Sequence, residues 1–514
     1  MRIITAALAA AIAASAFPAM AAQQPSSTVS AQATEKALDA IGAIDTERLF
    51  EDKSYAQQML VHVETVRRSS HYSGDGKLHI DRLRMLALIG SGQAKEAYAL
   101  ATQLAKTAPG EFDLHYFAFL LAVETGSERA LDELEFADRS IASKDDRARL
   151  VESIDSDTVQ RFRQRFYQPK DKARIARSAQ VLLNLGWPGP NKLEFIDALR
   201  MELAEVHLEK GDIARAKPLV FAVQSTRPVL QILVSRKWDP VRDSGDSHER
   251  LAQAIAASDE ASERALLAVP DDPEILLLRA QFLRSVGKSA EALELLLPKA
   301  ENLEWVKEQG ENGFWVVNEA AYALVDLKRE KDAVSLMQKL LALGLPENPS
   351  LISMAINSVG IMVDAGDFKG ASEYAVTLAT KEADYASPYG LMWMWEGAVC
   401  GYSFGGNPQA AQPWLVKLKA NEKDNRAALT RALLCANDTD GAAASLIRRL
   451  EGDAADDALI ALQDYSAGPD LPATKRTLET RMREIVLRPD VQAAIAKKGR
   501  VMKVPLSRIY WGLF

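Results

Sequence analysis

From about residue 33 onward, apolar residues return every three or four positions in runs of about twelve, and each run gives way to a short polar or glycine-bearing turn before the period resumes. That alternation predicts amphipathic helices joined in pairs. The turns are written as Gly90-Ser91-Gly92, Gly126-Ser127, Gly211-Asp212, Gly287-Lys288 and Gly366-Asp367. Glycine accepts the left-handed backbone that closes a helix. β-branched residues are not gathered into alternating runs, so strands are expected to be nearly absent and the fold class is all-α.

Aligned on their turns, the hairpins share one internal spacing: a small or apolar residue, a bulky one three later, Ala at twelve, then apolar residues at sixteen and nineteen. One hairpin carries Met85, Leu88, Ala97, Ala101 and Leu104 and ends at Pro109; the next carries Ala118, Leu121, Ala130, Leu134 and Ala137. Others run Ala204, His207, Ala216, Val220 and Val223; Ala321, Leu324, Ala333, Met337 and Leu340; and Val359, Met362, Ala371, Ala375 and Leu378. Ala280, Leu283, Ala292 and Leu296 follow it until Lys299 interrupts the last position. A small residue in the first helix facing Ala in the second lets the two backbones approach, with bulky neighbours interdigitating around the contact.

In these positions, and in phrases such as KEAYALATQLAKTAP and SAEALELLLPKA, the chain resembles the tetratricopeptide-repeat (TPR) family. The family's period is about 34 residues. Here the key Ala recurs at Ala97 and Ala130, then at Ala292, Ala333, Ala371 and Ala411, so the later repeats need longer connections or helices. The resemblance implies a right-handed superhelical solenoid of antiparallel hairpins, about eight to ten of them. Gly186-Trp187-Pro188-Gly189-Pro190 breaks any helix and divides the array into subarrays spanning 33–186 and 191–465. Residues 466–514 read as capping helices and an aperiodic tail.

The first residues change the setting. Arg2, the apolar stretch Ile3–Phe17 and Ala19-Met20-Ala21 read as a cleaved signal peptide over 1–21, followed by a flexible polar segment over 22–32. The apolar stretch is short for a bilayer span, and no Cys follows the cleavage site to carry lipid. Export into the periplasm, a soluble mature chain and no stable membrane insertion are therefore expected. Losing Arg2 moves the formal charge from −8 to −9, which disfavours a nucleic-acid partner, since that calls for a basic stripe.

No catalytic constellation is written in the chain. His62, His71, His79, His115, His207 and His248 include no helical pair suited to a metal, and Gly405-Gly406 lacks the Lys-Ser/Thr of a phosphate loop. No metal and no cofactor are expected. Gly390-Leu391-Met392 is close to a tripeptide of soluble lytic transglycosylases, but Trp393 stands where those enzymes carry Gln. The alternative reading is thus an enzyme, or an enzyme-associated subunit, acting on peptidoglycan or another glycan.

The leading reading is a non-enzymatic exported scaffold that binds proteins or peptides. The TPR resemblance implies a groove lined by first helices, and the spacing places Trp315, Asn318 and Tyr322 on one side of one helix and Trp393, Glu396 and Cys400 similarly in the hairpin of Ala411. Tyr389, Trp395 and Trp414 are assigned to the core. Cys400 and Cys435 stand about one repeat apart, where a disulfide across successive first helices and two unpaired buried thiols are both open.

Overall fold

The computed structural model describes residues 30–69, 72, 75–167, 171–187, 192–242, 245 and 247–512. The signal-peptide reading, all of 22–29 and Pro188–Pro190 of the predicted break lie outside the described residues. The chain packs as two units, one of residues 1–190 and 198–216, the other of 191–197 and 217–514.

In the first unit the order is α1 (Ala31–Gly42), α2 (Thr46–Glu51), α3 (Lys53–Arg67), α4 (Asp75–Gly90), α5 (Ala94–Thr107), α6 (Phe112–Glu124), α7 (Ala130–Arg139), α8 (Lys144–Ser153), α9 (Ser156–Tyr167) and α10 (Lys172–Leu185). Neighbours pack in sequence, α3 on α4, α4 on α5, α5 on α6 and α6 on α7. The helix α6 is buried nearly all round, with Leu114, Tyr116 and Phe119 fully enclosed. Gly186 ends α10 in the left-handed conformation, as a helix stop before the predicted break.

Two helices, α11 (Lys192–Glu209) and α12 (Ile213–Phe221), follow across the division between units. The second unit then contains α13 (Thr226–Val234), α14 (Ser247–Ala268), α15 (Pro273–Ser285), α16 (Ser289–Ala300), α17 (Leu303–Gln309), α18 (Glu311–Asp326), α19 (Glu330–Leu341), α20 (Ile352–Asp364), α21 (Phe368–Lys381), α22 (Pro388–Phe404), α23 (Pro408–Ala420), α24 (Arg426–Cys435), α25 (Thr439–Glu451) and α26 (Ala455–Ala461). It ends with β1 (Asp464–Ala467), α27 (Ala473–Val486), α28 (Pro489–Lys498), β2 (Lys503–Ser507) and α29 (Arg508–Trp511).

The hairpins form as the periodicity predicts. Each first helix packs on its own second helix, α15 on α16, α18 on α19, α20 on α21, α22 on α23 and α24 on α25. Each also touches the next first helix, in the order α15, α18, α20, α22, α24. The anchoring residues Ala280, Ala292, Ala321, Ala333, Ala371 and Ala375 are fully buried, which is the close approach that their size permits. Where Lys299 interrupts the pattern, Ala300 is buried instead, and the lysine turns outward to meet Asp271 at 2.7 Å. Gly92, Gly126, Gly211, Gly287 and Gly366 all have positive φ. The turn after α18 does without glycine, Lys328 taking φ 61°, and Asn437 does the same after α24 at φ 60°. The paired helices, left-handed turns and buried small anchors make this an all-α helical-repeat fold of the TPR-like kind.

Two features depart from the expectations. Tyr389, assigned to the core, is 55% exposed in the first turn of α22, and Trp395 and Trp414 are half-buried with Lys417 over both rings. The stretch after Lys503, read as aperiodic, forms β2 and α29, with β2 pairing in parallel with β1.

Candidate binding site

First helices that stand side by side present one continuous face, and in the second unit that face carries an unusual density of buried charge. Arg284 on α15 is 5% exposed and sits between carboxylates of α18: its Nε donates to Asp326 at 2.7 Å and its Nη1 to Glu319 at 2.7 Å. Ser289 donates to the same Asp326 at 2.8 Å. Burial opposes the guanidinium charge, but Glu319 and Asp326 outweigh it, so the pKa of Arg284 lies above its usual value. The rings of Tyr322 and Tyr510 lie on the guanidinium at 5.3 and 5.5 Å.

Further along the face, Asn357 on α20 donates to Asn318 at 3.0 Å. Asp364, at the end of α20, accepts from Thr474 at 2.8 Å and pairs with Lys475 at 3.4 Å. On α22, Glu396 lies 3.0 Å from Nε of Arg431 on α24. Burial raises the pKa of Glu396 against the pull of Arg431. Burial pushes the Tyr322 phenol up to about 12, against the lowering pull of Arg284 and Arg431.

The two cysteines are joined, with Cα atoms 5.0 Å apart, and the bridge ties α22 to α24. Glu396, Cys400 and Cys435 bring their ligand atoms within 4.8 Å of one another. Sulfurs in a disulfide have no thiolate to offer, so this cluster holds a structural staple and not a metal set.

The sequence-derived residues stand in different settings. Asn318 and Glu396 are buried, at 2% and 5% exposure, and act through Asn357 and Arg431. Trp315 and Tyr322 are half-buried against the core built between Leu276 and Ile361. Trp393 packs edge-on against Tyr389 with ring centroids 6.3 Å apart. The residues that organise the face, Arg284, Glu319, Asp326 and Arg431, were not singled out from sequence. Their signal was charge set among the apolar positions of first helices.

The face is covered by the chain itself. The helix α27 packs on α20, α24 and α25, while β2 and α29 pack on α15. Trp511 Nε1 donates to the carbonyl of Ser285 at 3.1 Å. Between α28 and β2 the segment meets α13 and the residues after it: Gly499 bridges Ser235 and Arg500 pairs with Asp239 at 2.5 Å, while Asp457 of α26 pairs with Arg227 at 2.7 Å. The segment therefore touches first helices from α24 back to α13.

No protein-family model matches the chain, and no curated protein matches it. Solved structures similar to it include yeast Tom70, 11% identical over 91% of this chain and 98% of that one, with a TM-score of 0.33. The P58(IPK) TPR domain is 12% identical over 88% and 97% of the two chains, with a TM-score of 0.20. The Cut9–Hcn1 hetero-tetramer of APC/C is 12% identical over 91% and 99%, with a TM-score of 0.29.

Proposed function

We propose that this chain is an exported helical-hairpin scaffold that binds proteins or peptides in the cell envelope, in assembly or trafficking of envelope components. The observation that carries the reading is the row of first helices, whose exposed rim presents Tyr389 stacked edge-on against Trp393. Tyr and Trp add contact area at low entropic cost, which suits a partner segment laid along a helical array. The peptidoglycan alternative draws nothing from the geometry, because Gly390-Leu391-Met392 forms the start of the repeat helix α22.

The test is crosslinking in the envelope fraction with wild-type chain and Tyr389→Ala, after N-terminal sequencing of the exported form. Cleavage after Ala21 or Ala22 and a defined partner lost from the variant are the expected results. A retained cytoplasmic chain, or a purified protein that cleaves peptidoglycan, would overturn the reading.

A further inference from the structure

Arginine is the cation least willing to give up its charge, so a buried one needs an anion. Arg449 on α25 is 6% exposed, yet among the described residues it makes neither a hydrogen bond nor an ion pair. Only the more distant Asp457 and Tyr389 act on it through space, and burial holds its pKa below the ordinary arginine value. Its neighbour in sequence shows the contrast: Arg448 is 44% exposed at the side chain and is paired with Glu422 at 2.5 Å.

Arg449 lines a cavity of about 140 Å³ together with Trp393, Thr430, Arg431, Leu434 and Met482. The second arginine is only partly occupied. Arg431 Nε lies 3.0 Å from Glu396 but at an angle that makes no hydrogen bond, and its Nη groups donate to nothing among the described residues. The Thr430 hydroxyl is already engaged by Ser445 at 2.9 Å and by the carbonyl of Arg426 at 2.8 Å. The polar side of the cavity is therefore two guanidinium groups, and the remainder is apolar.

The charges around it set the valence of what it can take. Of the charged side chains that line the cavity, Arg431 faces Glu396, while Arg449 has no paired carboxylate; beside them Lys475 faces Asp364. A single negative charge completes the site, whereas a dianion would add excess negative charge beside Glu396 and Asp364. A planar carboxylate matches the guanidinium fork, and Trp393, Leu434 and Met482 would surround an apolar body. The volume corresponds to roughly five water-sized groups.

We propose that the second unit holds a binding site for a small organic monocarboxylate with a short apolar chain, gripped by Arg449 and Arg431 and walled by Trp393. The cavity shares Trp393 with the aromatic pair of the partner-binding reading, but the carboxylate grip on Arg449 and Arg431 does not depend on that reading.

The experiment is a calorimetric titration of the whole exported chain with butyrate, repeated with acetate and inorganic phosphate, on wild type, Arg449→Met and Arg448→Met. Saturable butyrate binding by wild type and Arg448→Met, weakened about tenfold or more in Arg449→Met, is expected from loss of a charge-assisted contact. Methionine approximates the volume of the stem and removes an unpaired buried charge, so Arg449→Met is expected to fold at least as stably as wild type. Should it fail to fold, Trp393→Ala is the second variant, expected to lose the preference for butyrate over acetate. Absence of saturable butyrate binding, equal binding by Arg449→Met, or preferred binding of phosphate would each overturn the proposal.

Discussion

Replacing Gly287 by alanine tests whether residues 464–511 are seated on the hairpin array. Gly287 has φ +85°, and a Cβ built there would stand 2.8 Å from the backbone nitrogen of Gly468 and 2.9 Å from its Cα. To restore ordinary contact, the covering segment or the turn must retreat by roughly 0.6 Å. Gly366 is the control, with φ +79° and nothing within 4 Å of an added Cβ. Both variants carry the cost of a left-handed alanine, about 1–2 kcal/mol. Only Gly287→Ala also threatens the bond from Trp511 to Ser285 and the stack of Tyr510 on Arg284. Leaving that buried indole donor unmet costs about 1–3 kcal/mol more. Gly366→Ala should therefore lose about 1–2 kcal/mol, and Gly287→Ala about 2–5 kcal/mol in total. Hydrogen exchange followed by mass spectrometry on peptides from 464–512 reads the difference directly. The extra cost makes those amides exchange roughly 5- to 150-fold faster in Gly287→Ala than in Gly366→Ala. Equal exchange in the two variants would refute the reasoning.

Two more outcomes follow from the buried face. The Cys400–Cys435 bridge closes a loop with a separation of 35 residues, for which chain entropy gives about 4 kcal/mol; the double change Cys400→Ala and Cys435→Ala should lower stability in urea by that order, and a loss below about 1 kcal/mol would contradict it. For Tyr322, the folded pKa of about 12 exceeds its ordinary value of 10.0, so the unfolded chain ionises first and stability falls as pH rises between those values. Tyr322→Phe should show a shallower fall in urea midpoint over that window, and parallel curves would refute the assignment.

The hairpins were legible because their information is local. A period of 3.6, a glycine at the turn and a small residue every repeat sit within one reading window, and Ala321 with Ala333 or Ala371 with Ala375 are fully buried as that spacing requires. The spacing of Trp315, Asn318 and Tyr322 along one helix is information of the same local kind. Whether the row of first helices is open is not, since the residues that cover it, Thr474, Tyr510 and Trp511, lie 110 to 226 positions from Asp364 and Ser285 and share no period with them. Buried arginines were missed because Arg284 and Arg431 look like interruptions of an apolar helix until Glu319, Asp326 and Glu396 are seen beside them. Tyr389 was misplaced because it stands in the first turn of α22, where helical periodicity has barely begun to decide which side faces inward.

The return of the chain from Arg500 to Leu233, a separation of 267 residues, also bears on how the second unit is made. A hairpin array ordinarily folds from neighbour to neighbour, each repeat resting on the last and none waiting for a distant one. Here α13 and α15 have part of their surface reserved for residues that leave the ribosome long after them. During synthesis and any passage across a membrane, the growing array must carry Arg284, Asp364 and the wall around Ser285 uncovered until Thr474, Tyr510 and Trp511 arrive. Non-local closure of this kind slows folding and leaves the intermediate adhesive. The contact that completes the second unit thus also sets how long its first helices stay uncovered.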